Sequence, residues 1–264
     1  MLLALCAAGY LFFVCTGAGQ GFDNDAFFGR DAEAQAAQAL DTAVLGRVTN
    51  GFVAAGAGVL FVVAALRRRW LTGIAAVAGV ALAVGGAEVL KDRLPREELV
   101  VPQGLEPGYF KTDTYPSGHT SVGASLALAA VLVSGARWRV GMSVAAALVA
   151  TVYATGVFFM GWHRPSDAVG GILWSGFCLG LAASLLALVK RVERPFVFRG
   201  AAAPLLVGLC GLLAALVVWV AGGFLGDARP DLDFPYLAMT ALIVASAFAV
   251  AGWFGFTLDG TGEI

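Results

Sequence analysis

The sequence predicts an all-α fold, a polytopic membrane helix bundle of about eight transmembrane helices. Three observations carry this. Hydrophobic residues make up 59% of the 264 residues and charged residues only 13%. A soluble domain carries about 25% charged residues, and half that fraction cannot coat a water-facing surface. Mean hydropathy is +0.82. Finally, stretches near the ~20 residues of a membrane span recur along the chain. They are apolar all round and lack the period-two alternation of a membrane β-barrel. The composition excludes a soluble globule, a disordered chain and a disulfide-stapled secreted fold. The net charge of -1 offers no bulk field for nucleic acid.

The expected spans run over 1–19, 48–66, 71–90, 117–135, 140–160, 166–189, 202–225 and 236–257. The first lacks a basic leading region, which favours a retained helix over a cleaved signal peptide, although Cys15-Thr16-Gly17-Ala18 is small enough for cleavage. Gly85, Gly86, Gly123, Gly170 and Gly171 lie within spans and allow close helix contact. Residues 30–47 read as an amphipathic helix outside the membrane. Cys6, Cys15, Cys178 and Cys210 lie in apolar stretches without CxxC spacing and read as small hydrophobes. Neither an internal repeat nor a low-complexity linker divides the chain.

Orientation follows the basic residues of short loops. Arg67, Arg68, Arg69, Arg137, Arg139, Lys190, Arg191, Arg194 and Arg199 fall on one side. Arg30, Arg47, Lys91, Arg93, Arg96, Lys111, Arg164 and Arg229 fall on the other. Lys91 to Lys111 and Arg164 belong to the candidate site described next; without them the first side dominates and is cytoplasmic. The abundance of Arg over Lys, with many Ala, Gly and Val, suits a GC-rich bacterial source and hence a bacterial plasma membrane.

Chemistry concentrates in three outward strings. These are Lys91-Asp92-Arg93-Leu94-Pro95-Arg96, Tyr115-Pro116-Ser117-Gly118-His119 and Trp162-His163-Arg164-Pro165-Ser166-Asp167. His119 and His163 are the chain's histidines. Pro116 suits a first helical turn. The amides after it make a helix N-terminus that attracts anions. Lys91 and Arg96 add positive charge, and Arg can grip phosphate with two hydrogen bonds. Asp167 lies four residues after His163, and Pro165 disfavours an ordinary helix between them, so the loop is expected to bend the carboxylate back. A carboxylate on one imidazole nitrogen fixes the tautomer and frees the other to attack. The second imidazole can protonate a leaving alkoxide. Each feature has a plain structural explanation alone. Interfacial His sits beside Trp162, Lys91 and Arg93 can snorkel, Ser166-Asp167 can cap a helix, and Glu88 can pair with Lys91 at i,i+3. Convergence of all three strings on one face favours a site.

These residues resemble the type 2 phosphatidate phosphatase superfamily of integral membrane lipid phosphatases, related to vanadium haloperoxidases. The family pattern joins a Lys and an Arg-Pro, a Pro-Ser-Gly-His, and a Ser-Arg followed by His-x-x-x-Asp. The second part is complete as Pro116-Ser117-Gly118-His119, and the third ends in His163 and Asp167. The resemblance implies a six-helix phosphatase core over 1–189, with two further spans over 190–264. It implies that His163 is the nucleophile through a phosphohistidine, His119 the general acid and Asp167 the orienting carboxylate. Lys91, Arg96 (or Arg93), Ser117 and Gly118 would hold phosphoryl oxygens. Neither metal nor cofactor is implied. Two departures stand out: Glu97 follows Arg96, and Gly156-Val157 occupy the Ser-Arg positions, leaving Arg164 or Arg93 to substitute. The expected substrate is a phosphorylated membrane lipid, polyprenyl (pyro)phosphate or phosphatidate-like, met at the outer face of the bilayer. A lipid phosphotransferase would share every motif. A transporter would hold its ionisable groups at mid-membrane, and a non-enzymatic assembly protein would tolerate loss of His163.

Overall fold

Long Ala-, Val- and Leu-rich stretches satisfy their backbone hydrogen bonds internally as helices, as a membrane requires. The computed structural model describes residues 1–29, 45–109, 114–191, 208–209, 211–213, 215–216 and 234–259. Among these, the principal elements are α1 (Leu2–Phe13), α2 (Gly17–Phe28), α3 (Asn50–Leu66), α4 (Trp70–Arg93), α5 (Gly118–Val133), α6 (Arg139–Phe159), α7 (Pro165–Val189) and α8 (Phe234–Asp259). Short 3₁₀ turns cover Leu45–Arg47 and Ala136–Trp138. Of the expected 30–47 helix, residues 30–44 lie outside the described residues. The expected 202–225 span is described only at 208–209, 211–213 and 215–216, all helical.

Four helices have the length and hydropathy to cross a membrane: Trp70–Arg93, Ala136–Phe159, Pro165–Val189 and Phe234–Leu258. These mark a multi-pass membrane protein. A bent pair makes a fifth, so the described residues give four or five spans where eight were expected. One reason is length. Helix α3 has 17 residues and α5 has 16, about 24–26 Å at ~1.5 Å per residue, less than the ~30 Å hydrocarbon core.

The bent pair corrects the reading of 1–19 as one span. Helix α1 ends at Phe13, the axis turns by 89°, and α2 begins after Thr16. Thr16 is a favoured helix cap, and its Oγ1 accepts the Gly19 N–H at 3.0 Å. Gly19 permits the corner, since a Cβ there would lie 2.1 Å from the Phe12 carbonyl oxygen. Helix α2 then buries Gln20, Asp23 and Asn24, spaced i, i+3, i+4 on one face. Gln20 clamps the segment after α4: its Nε2 donates to the Glu97 carbonyl at 2.6 Å and its Oε1 accepts from the Leu99 N–H at 3.0 Å.

Helix α7 is the hub, packing on α1, α4, α5 and α8, while α6 packs on α5 and α8. Small residues set the spacing. Gly79 faces Leu179, Gly123 faces Tyr153, and Ala76, Ala83 and Ala154 are fully buried. Leu66, Val89, Leu148, Leu185 and Leu188 stay exposed as an apolar outer belt, which suits contact with lipid.

One end of the bundle is basic. Arg67 Nη1 donates to the Val133 carbonyl at 2.7 Å, Arg69 Nη1 to the Ser134 carbonyl at 3.5 Å, and Arg139 Nη1 to the Leu258 carbonyl at 2.6 Å. Cations there complement the negative ends of α5 and α8. A cavity of about 550 Å³ at this end is lined by Arg67, Gly135, Ala136, Arg137 and Trp138. At the opposite end, α4 and α6 finish while α5 and α7 begin.

Candidate active site

Helix α6 delivers the first imidazole. Gly161 takes φ +69, the left-handed cap that glycine accepts most easily. Its N–H donates to the Phe158 carbonyl at 2.9 Å. The N–H groups of Trp162 and His163 both donate to the Val157 carbonyl, at 3.0 and 3.2 Å. This closed turn fixes the backbone of His163 just before α7. Val157 occupies the position where the resemblance expects Arg, and its side chain is fully buried.

Pro165 is the first residue of α7, a position where its missing N–H costs nothing. The expectation that it would bend a loop is thereby corrected: it opens the helix, and Asp167 reaches back from the first turn. Asp167 Oδ2 accepts the Arg164 N–H at 3.2 Å and lies 3.6 Å from His163 Nδ1. That last distance is slightly beyond a hydrogen bond. Such contacts commonly tighten once substrate is bound.

Helix α5 delivers the second imidazole. Ser117 caps it, its Oγ accepting the Thr120 N–H at 3.4 Å, so Pro116 precedes the cap instead of sitting in the first turn. The Ser117 N–H donates to the Asp167 carbonyl at 2.9 Å, which ties the starts of α5 and α7 together. The His119 ring lies 5.2 Å from the Trp162 ring, tilted by 57°. Lys91 pairs with Glu88 at 2.8 Å, and this pair lies directly against the α5 start. A Cβ on Gly118 would meet Glu88 Oε1 at 2.6 Å and Lys91 Nζ at 2.9 Å.

Behind this rim lies a buried polar network. Arg96 is 3% exposed. Its Nη1 donates to Asp23 Oδ2 at 3.0 Å, and its Nη2 donates to Asp167 Oδ1 at 3.1 Å and Ser166 Oγ at 3.0 Å. Ser166 gives its hydroxyl to Asp23 Oδ2 at 2.6 Å and its N–H to Asp23 Oδ1 at 3.0 Å. Arg164, 5% exposed, donates from Nε to Asn24 Oδ1 at 2.8 Å. Burial alone would lower the Arg96 pKa, but Asp167 and Asp23 outweigh it and hold that guanidinium above its ordinary value. Arg164 moves the other way. Burial, joined by the Arg96 charge, draws it down to about 10 despite Asp167 and Asp23. It stays charged at neutral pH.

The fold thus brings together His163, Asp167, His119, Ser117, Gly118, Lys91, Arg96 and Arg164. Arg93 stays exposed at the end of α4 and shares none of these contacts. Asp23 and Asn24 are parts of the cluster that the motif strings did not flag, and Ser166, read from its string as a helix cap, instead bonds Asp23 and Arg96. The signal for the α2 pair was faint: the Gln20, Asp23, Asn24 spacing after a helix-capping Thr16. Among the described residues, no group of three or more His, Cys, Asp or Glu is arranged to hold a metal ion.

Known proteins add one finding. The family model described as PAP2 superfamily matches residues 72–191, from the start of α4 to just past the end of α7. No curated protein and no solved structure shows significant similarity to the chain.

Proposed function

Residues 72–191 belong to the PAP2 superfamily, whose members are phosphatases, and from that premise we propose that the chain is a lipid phosphate or pyrophosphate phosphatase working through a phosphohistidine at the outer face of a bacterial plasma membrane. One observation carries the residue roles: His163, with Asp167 3.6 Å from its Nδ1, shares a helix-end cluster with His119 and the buried Arg164.

Asp167 on the Nδ1 side leaves Nε2 of His163 as the nucleophile. As the P–N bond forms, the bond from phosphorus to the leaving oxygen breaks, and His119 gives its proton to that oxygen. Water then attacks the phosphohistidine, the P–N bond breaks, and His119 takes up the water's proton. The two imidazoles therefore start in opposite protonation states. Charge in the transition state spreads over the equatorial oxygens, so preorganised donors contribute most. Arg164, Lys91, the Ser117 hydroxyl and the Gly118 amide are those donors. Arg96 is engaged with Asp23 and Asp167 and acts on the phosphate chiefly through them.

The cluster's place at helix ends lets a lipid headgroup enter sideways from the bilayer. Polyprenyl (pyro)phosphates and phosphatidate-type lipids have this chemistry. The outward assignment follows from the basic end of the bundle being cytoplasmic. The phosphatase core lies within residues 1–189, and α8 packs on its α6 and α7.

The test uses the full chain in detergent, without added metal, across a panel of polyprenyl and glycerolipid phosphates. Free phosphate should be released, and His163→Ala and His119→Ala should abolish release. Activity surviving both substitutions overturns the residue roles. Label appearing on an acceptor lipid or glycan in place of free phosphate makes the protein a phosphotransferase.

A further inference from the structure

Helix α2 lies outside the matched region, yet it carries the side chains that grip both arginines of the site. Burying a carboxylate and an amide is costly unless each is paired, and these two neighbours are paired differently. Asp23, fully buried, faces Arg96 at 3.0 Å and takes both Ser166 donors. Asn24 presents its Oδ1 to Arg164 Nε at 2.8 Å, and its Nδ2 donates to the Val100 carbonyl at 3.4 Å.

The charge logic differs at the two positions. Asp23 and Asp167 both accept hydrogen bonds from Arg96 and lock it against the start of α7. An amide at 24 orients Arg164 without cancelling its charge. A carboxylate in the same place would hold the guanidinium more tightly and remove what a phosphate needs.

We propose that α2 is the positioning element of this site: Asn24 aims a still-charged Arg164 at a phosphate group, while Asp23 holds Arg96 on Asp167 and so steadies His163. The proposal rests on the phosphatase reading for its consequence in turnover, but its phosphate-binding half stands apart from it.

The discriminating variant is Asn24→Asp, which preserves the shape and the Arg164 hydrogen bond, gives up the long donation to the Val100 carbonyl and adds charge. Orthophosphate binding to the full chain in detergent is measured by calorimetry, and kcat and KM on the best lipid phosphate are measured alongside. Asn24→Asp should weaken orthophosphate binding and raise KM about tenfold, with a cooperative thermal melt showing that the fold is kept. Asp23→Asn should lower kcat about tenfold and leave orthophosphate affinity nearly unchanged. A merely structural role predicts the reverse for Asn24→Asp: a stronger pair with unchanged phosphate affinity. That result overturns the proposal, as does a parallel loss of kcat and affinity in both variants. If Asn24→Asp does not fold, Asn24→Ala must weaken orthophosphate binding, and unchanged affinity there overturns it too. Wild type that binds orthophosphate but releases none from any lipid refutes the phosphatase reading alone, and the binding comparison still decides this one. Wild type that does not bind orthophosphate refutes the role given to Arg164.

Discussion

Replacing Asp167 by Asn keeps the side chain's shape and removes one buried charge from a point 3.6 Å from His163 Nδ1. At an effective dielectric constant of about 20, the attraction between unit charges at that distance is about 4–5 kcal/mol. His163 gains positive charge as it attacks phosphorus, so this attraction is felt mainly in the transition state. At roughly 1.4 kcal/mol per tenfold, its loss corresponds to a kcat lower by about 10³. The amide also has the wrong polarity. Its oxygen can still face Arg96, but its NH₂ then meets the Arg164 N–H and His163 Nδ1, which disfavours the tautomer that attacks. Asp23 still pairs with Arg96, so folding should lose only about 1–3 kcal/mol from the mismatched donors. Phosphate release from the best lipid substrate, measured beside a thermal melt in the same detergent, checks both numbers. A folded Asp167→Asn protein within about tenfold of wild-type kcat would refute the orienting role, because the charge would then contribute less than ~1.4 kcal/mol.

Gly118→Ala puts a Cβ against Glu88 Oε1 and Lys91 Nζ, both the ends of flexible side chains. The melting temperature should barely move, while displacement of Lys91 should lower phosphate release about tenfold. Gly19→Ala meets the Phe12 backbone instead, at 2.1 Å. Backbone cannot swing aside, so the α1–α2 corner must open at a cost of about 1–3 kcal/mol, and a thermal melt should show it together with reduced activity. Arg164 supplies a pH dependence. Its pKa is lowered to about 10 by burial and by Arg96, so its charge is present below that pH and lost above it. Orthophosphate affinity should fall as pH rises through about 10, and Arg164→Gln should flatten that limb. The fold disfavours the charged form here, so its deprotonation relieves strain on the folded state and should not itself lower the melting temperature.

Composition marked this chain as a membrane protein, and apolar runs without period-two alternation decided for helices over a closed barrel, the two ways a backbone is satisfied in lipid. Local strings decided more. Pro-Ser-Gly-His at 116–119 and His-x-x-x-Asp at 163–167 each lie within a few residues, so a helix start and its cap determine their geometry. Glu88 and Lys91 paired as their i,i+3 spacing requires. Tertiary structure alone decided that 1–19 breaks at a corner only Gly19 allows. It also decided that α2 turns its polar face inward, and that Arg96 is held between two carboxylates while Arg164 meets the Asn24 amide. Asp23 meets Arg96 across 73 positions of chain and Ser166 across 143. Periodicity reports which face of a helix is polar, but not what that face meets. The partner is set by which distant helices pack closely enough to exclude water, and in this bundle glycine and alanine contacts along α4, α5 and α7 determine that distance.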